Sequence, residues 1–291
     1  MPNVELIVDC GNELGESPVW DPVEQRLYWL DIKGKTINWH HPASGETRTV
    51  DVPEEPGCLV LRENGGMVVA FYGGFRFFDM ETGTIETIQE LEEDTPDSRM
   101  NDGRCDRQGR MWAGSMDDTF ERPLGSLYRL DPDLTCHRIE PDIVISNSIA
   151  FSPDGATMYF ADFGHETIFA YDLDTATGEA SNRRVFAGPG SVPGFPDGST
   201  VDTEGYLWNA RWDGNCIARF APDGTLDRTI EVPVLQPTCP MFGGPDLDVL
   251  YFTSAWFKMD DAQREQYPES GGIHAITDIG ATGLPEPRFA G

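Results

Sequence analysis

The chain has 291 residues, a length for one large domain or two small ones, and its 39% hydrophobic and 11% aromatic content is too high for a disordered segment. Its 50 acidic residues outnumber 21 Lys and Arg, giving a net charge of −29, and only Lys33, Lys35 and Lys258 are lysines. Without a basic face to displace counterions from phosphate, the chain is not expected to bind nucleic acid or an anionic membrane surface.

The first residues, Met1-Pro2-Asn3-Val4-Glu5, lack the basic region and apolar run of a signal peptide. A strand-like stretch from Glu5 to Val8 precedes the first full repeat and is expected to pair with the last one, closing a ring. Six short apolar or aromatic strands then recur: Leu27-Tyr28-Trp29-Leu30, Met67-Val68-Val69-Ala70, Arg110-Met111-Trp112-Ala113, Thr157-Met158-Tyr159-Phe160, Tyr206-Leu207-Trp208-Asn209 and Val249-Leu250-Tyr251-Phe252. Measured between Tyr28, Val69, Trp112, Tyr159, Trp208 and Tyr251, the spacings are 41, 43, 47, 49 and 43 residues, the period of propeller blades.

Turn residues precede each of these strands, as in Asp106-Arg107-Gln108-Gly109 and Asp202-Thr203-Glu204-Gly205. A second strand follows most of them (Ser126 to Leu130, Thr167 to Tyr171, Cys216 to Phe220), then another turn such as Thr175-Ala176-Thr177-Gly178, then a polar fourth strand. The pattern predicts an all-β fold, a six-bladed β-propeller with four-stranded blades, as a single domain over 1–291 with no convincing long helix.

In a propeller the innermost strand of every blade lines the central channel. The residues 11 or 12 positions before the six reference residues are Glu16, Cys58, Asn101, Asn147, Asp197 and Cys239. Two carboxylates and two amides from four blades thus fall in phase, where a closed ring brings them together at one mouth. Oxygen donors without histidine or thiolate suit a hard divalent cation such as calcium, magnesium or manganese, ahead of zinc or iron(II). Taken singly, Asn101-Asp102-Gly103 and Pro196-Asp197-Gly198 read as turns; their common phase is what points to a site. Arg99, two residues before Asn101, is placed to reach a substrate oxygen, and Cys58 and Cys239 read as small apolar liners of the channel.

Other chemistries lack their motifs. There is no G-x-S-x-G elbow and no P-loop. His40-His41 reads as a surface pair beside the Pro42 turn, and His137, His165 and His274 as solitary. Six cysteines without a C-x-x-C pair argue against a zinc finger. Reduced, partly buried thiols in a cytoplasmic protein, a monomer or weak homo-oligomer, are expected. No apolar run approaches the roughly 20 residues of a membrane helix. The acidic, lysine-poor surface fits a solubilising shell or a salt-adapted source, and says little about the reaction.

Several segments together resemble the regucalcin/gluconolactonase family of six-bladed propellers: Gly15-Glu16-Ser17-Pro18-Val19-Trp20, Asn101-Asp102-Gly103, Ala113-Gly114-Ser115-Met116, Gly125-Ser126-Leu127-Tyr128, Ile145-Ser146-Asn147, Pro196-Asp197-Gly198 and Phe242-Gly243-Gly244. The likeness spans nearly the full length. It implies one divalent metal ion held by Glu16, Asn147 and Asp197, with Arg99 and Asn101 contacting substrate. Ser148 stands where many members have glycine, a departure expected to narrow the pocket slightly. The run Leu207-Trp208-Asn209-Ala210-Arg211-Trp212 looks like bacterial sugar lactonases of pentose breakdown. The resemblance therefore implies hydrolysis of a small sugar lactone to the aldonic acid, and Asp197 is the candidate general base for that reaction. Two alternatives stand beside it: a non-catalytic calcium-binding propeller, and an arylesterase or phosphotriesterase on the same scaffold. An aromatic segment from Phe120 to Leu124 is a candidate lid.

Overall fold

Two turn aspartates show how a blade holds its turn and its aromatic strand together. Asp106 accepts backbone N–H groups of Gln108 and Arg110 through Oδ1, at 2.9 and 3.0 Å, and the indole N–H of Trp112 through Oδ2 at 3.1 Å. Asp202 does the same with Glu204, Tyr206 and the indole of Trp208, and its Oδ2 also takes Arg219. One carboxylate thus fixes both the turn and the aromatic residue six positions on, which is the spacing visible in the sequence.

The computed structural model describes residues 2–95 and 97–291. It contains six four-stranded antiparallel sheets. Blade 1 runs Gly15–Asp21, Arg26–Asp31, Thr36–His41, Glu46–Asp51, from channel to rim. Blades 2 to 5 repeat the pattern, with innermost strands Pro56–Leu61, Ser98–Cys105, Ser146–Phe151 and Phe195–Val201. Blade 6 takes Gln236–Gly243, Val249–Ala255 and Ile273–Thr277 from one end of the chain and Asn3–Val8 from the other. The Asn3↔Thr277 and Leu6↔His274 pairs close the ring as expected. The fold is a six-bladed β-propeller.

Burial follows the strand position. Inner strands are buried along their whole length, whereas rim strands such as Leu226–Glu231 are mostly exposed. The core lies between blades: Val19, Leu30 and Trp39 of blade 1 pack on Leu59, Val69 and Phe78 of blade 2. Trp29, Trp112 and Trp208 have no exposed surface, and burial of such side chains supplies most of the cohesion between neighbours.

Among the described residues helix is limited to one turn-and-a-half at Asp261–Gln266, started by a capping box between Asp260 and Gln263, and a 3-10 turn at Phe163–His165. Among the described residues no helix is long and apolar enough to cross a membrane. All six cysteines are free thiols.

Two histidine readings are corrected. His40 is part of a strand and buried, its ring nitrogen 2.8 Å from Thr47 Oγ1. His274 is fully buried, stacks on Phe252 and reaches Glu269 at 3.1 Å. After the last strand the chain crosses the far end of the channel, bridging Gly283 to Asp202 and Phe289 to Arg62. There Glu286 pairs with the buried Arg104 at 3.0 Å.

Candidate functional site

Every innermost strand breaks register at the same level. In blade 1 the ladder skips from Glu16 to Val19, in blade 3 from Met100 to Gly103, in blade 4 from Asn147 to Ala150, and in blade 5 from Pro196 to Ser199. Such bulges re-aim side chains that strict alternation would direct elsewhere. After Glu16 and after Asn147 the backbone turns left-handed, with φ of 50° at Ser17 and 62° at Ser148. That conformation favours glycine. The hydroxyl of Ser148 lies 2.6 Å from that of Ser199, and Ser148 does not line the cavity, so the departure from glycine leaves the pocket width untouched.

Glu16, Arg99, Asn101, Asn147 and Asp197 all line one cavity of about 270 Å³ at the mouth of the channel. Its upper wall is apolar, from Met116, Phe120, Phe163, Trp212 and Phe257. The polar residues form a directed chain. Lys33 pairs with Glu55 at 2.9 Å and Asp118 at 3.2 Å, and Arg99 donates to Asp118 at 2.9 Å. Arg99 also donates to Asn101 Oδ1 at 2.8 Å, while Asn101 Nδ2 donates to Asn147 Oδ1 at 2.8 Å and to the Ser146 carbonyl at 2.9 Å. Because arginine only donates, this chain fixes which way both amides face. Arg99 is buried, 1% exposed, and its ion pair with the partly exposed Asp118 ties it to the cavity rim.

Electrostatics set this mouth apart. Burial and the nearby Asp102 carboxylate push Glu16 up to about 8. Burial, then Glu16 and Asp102, push Asp197 well above the usual carboxylate range. Like charges in a dry site resist ionising together, and a divalent cation between them removes that cost. Among the described residues no three His, Cys, Asp or Glu side chains cluster closely enough to hold a metal. An ion here therefore needs the amide oxygen of Asn147 to complete a set of three protein donors. That oxygen keeps one lone pair beyond the one Asn101 uses, so the residues present fit a hard cation.

Asp102 went unnoticed in the sequence, where Asn-Asp-Gly reads as a turn. Its carboxylate instead accepts N–H groups of Ile149 at 2.8 Å and Gly103 at 2.9 Å, buried beside the site. The glycines of these motifs also have another purpose. A Cβ on Gly103 would collide with the Cys58 thiol, and one on Gly198 with Cys239, so glycine here permits close packing of inner strands around the axis. Both cysteines are fully buried, and Cys239 faces the lower channel with Asp102 and Arg104. The Leu207–Trp212 strand supports blade 5: Asn209 donates to the Asp197 carbonyl at 2.8 Å, and Arg211 binds carbonyls of Val192 and Pro193. Lys33, Asp118, Phe257 and Lys258 were also missed. The one available signal was scarcity, since two of only three lysines stand at this mouth.

Residues 14–256 match the family described as SMP-30/Gluconolactonase/LRE-like region. The chain is 38% identical to the 6-deoxy-6-sulfogluconolactonase of Pseudomonas putida, covering 99% of each sequence. It is also 38% identical to the L-arabinolactonase of Azospirillum brasilense, over 98% of this chain and 95% of that one. The crystal structure of a calcium-binding protein, regucalcin, from Agrobacterium tumefaciens superposes with a TM-score of 0.93 at 34% identity, covering 98% of this chain and 96% of that one. With the six-bladed ring, these matches show that the chain belongs to the SMP-30/gluconolactonase/LRE-like family.

Proposed function

We propose that this protein is a metal-dependent lactonase that opens a sugar lactone to its aldonic acid. The observation that carries the reading is the convergence of Glu16, Asn147 and Asp197 with Arg99 and Asn101 on one cavity, in a chain whose relatives include sugar lactonases by name. Glu16, Asn147 and Asp197 would hold the ion, which when bound acts as a Lewis acid on the lactone carbonyl and lowers the pKa of water.

The remaining work falls to the chain itself. Arg99, held by Asp118, presents guanidinium N–H groups toward the cavity and is positioned to bind a ring hydroxyl or the carbonyl oxygen. Asn101 keeps the Asn147 amide turned toward the carboxylates. Asp197 takes a proton from the attacking water as the new C–O bond forms. The ring C–O bond then breaks, and the same proton passes to the departing ring oxygen. The apolar wall limits bulk water around the reacting ester.

The test is hydrolysis by chelator-stripped protein, followed by proton release, on five- and six-membered aldonolactones with calcium, magnesium, manganese, zinc and iron(II) added singly. Activity should vanish on stripping and return with at least one ion. Stoichiometric calcium binding without turnover of any lactone would favour a non-catalytic binding protein, and turnover confined to aryl esters or organophosphates a different hydrolase. Asp197→Asn that kept metal and full activity would remove the base assignment.

A further inference from the structure

Lys258 is a residue that none of the roles above requires. It sits in the loop after the Val249–Ala255 strand, with φ of 62° in the left-handed region. A side chain there costs about 1 kcal/mol that glycine would avoid, so the turn itself gives no reason for lysine. Its ammonium lies 3.5 Å from the Phe120 ring centroid and 5.3 Å from that of Phe257, and the residue lines the cavity. The two rings, 6.1 Å apart, come from blades 3 and 6 and hold the ammonium over the opening.

The other cations of the mouth are neutralised. Lys33 is taken by Glu55 and Asp118, and Arg99 by Asp118. Among the described residues Lys258 makes no ion pair, and Asp118 acts on it only at longer range. Of the two cations that line the cavity, Arg99 is paired and Lys258 alone is without an ion-pair partner among the described residues, in a chain of net charge −29. A neutral sugar has no use for that charge. An anionic group does, because the two rings hold the exposed ammonium at a fixed place over the opening, where an anion can meet it.

We propose that Lys258 selects lactones bearing a second, anionic oxyacid group at the end of the sugar remote from the lactone carbonyl. This rests on the lactonase reading and deepens it by naming the substrate class. The lactone carbonyl lies at the carboxylate end of the cavity, near Arg99, and the anionic end rises to the ammonium between Phe120 and Phe257.

The experiment compares 6-phospho-D-glucono-1,5-lactone with D-glucono-1,5-lactone for wild type, Lys258→Met and Lys258→Arg, at low and high salt. The methionine keeps an apolar stem between the rings and removes only the charge. The ratio of kcat/KM for the phosphorylated over the neutral lactone should fall about five- to tenfold in Lys258→Met and stay near wild type in Lys258→Arg. Wild-type preference should also shrink as salt rises. A ratio unchanged in Lys258→Met overturns the proposal, because the lysine is then only a latch on Phe120. Binding of 6-phosphogluconate and gluconate, read by calorimetry, separates the two layers. If wild type turns over neither lactone yet prefers 6-phosphogluconate through Lys258, the hydrolytic reading falls and the selectivity stands. If both lactones are hydrolysed without preference, the reverse holds.

Discussion

Removing a charge from the site should make the metal-stripped protein more stable. In the metal-free fold Glu16 ionises at about 8, against 4.5 for an unperturbed glutamate, because burial and the neighbouring Asp102 disfavour its charge. Between those two pH values the folded chain holds a proton that the unfolded chain has released. Stability from this group is therefore fully present below about pH 4.5 and is lost as pH rises to about 8. At about 1.4 kcal/mol per pH unit the loss sums to about 5 kcal/mol, an upper bound because the site relaxes as it charges. For a chain of 291 residues that is about 8 °C in Tm. Glu16→Gln removes the ionisation and keeps the shape. Melting curves of chelated wild type and chelated Glu16→Gln should coincide near pH 4.5 and diverge to pH 9, with the variant the more stable. Excess divalent ion should then raise the wild type and leave the variant nearly unmoved. Parallel curves across that range would refute the reasoning.

Two other outcomes test the frame around the site. Glu286→Ala should cost about 3–5 kcal/mol in urea unfolding, because it removes the carboxylate paired with the buried Arg104 guanidinium and leaves it to the carbonyls of Ile149 and Ser199, the Cys239 thiol and the more distant Asp102. Deleting residues 1–8 should cost about 4 kcal/mol from the half-buried Val4, Ile7 and Val8, and should expose the Ile273–Thr277 edge; a lowered Tm and concentration-dependent association on gel filtration would show both effects.

The ring was readable because apolar strands and turns recur at one period, and in blades 3 and 5 a turn aspartate also fixes the aromatic residue six positions on. Glu16, Asn101, Asn147 and Asp197 were readable because they share a phase in that repeat. Arg99 followed from its place beside Asn101. The residues that escaped belong to no phase. Asp102 is turned inward by a bulge, which sequence spacing does not record. Lys258 stands in a loop whose direction depends on where Phe120, more than a hundred residues earlier, comes to rest. Glu286 acts on Arg104 across 182 positions, along a segment without regular structure. His274 looked solitary because Phe252, on which it stacks, meets it only when their strands pair, and its contact with the nearby Glu269 carries no spacing signal. Local chemistry and period were legible, and contacts made by irregular segments were not.

The strand Asn3–Val8 ends 265 positions before Ile273, where its partner begins. During synthesis at about 5–20 residues per second, the early strand waits about 13–53 s before that partner exists. Blades 1 to 5 are each built from contiguous chain and can form as they emerge, but blade 6 is completed only by reaching back. The mouth shares that timing, since blades 1 and 5 bring Glu16 and Asp197 face to face only when the circle closes. The cavity is thus completed last, and a growing chain carries an open arc with Glu16 and Asp197 apart until the ring closes.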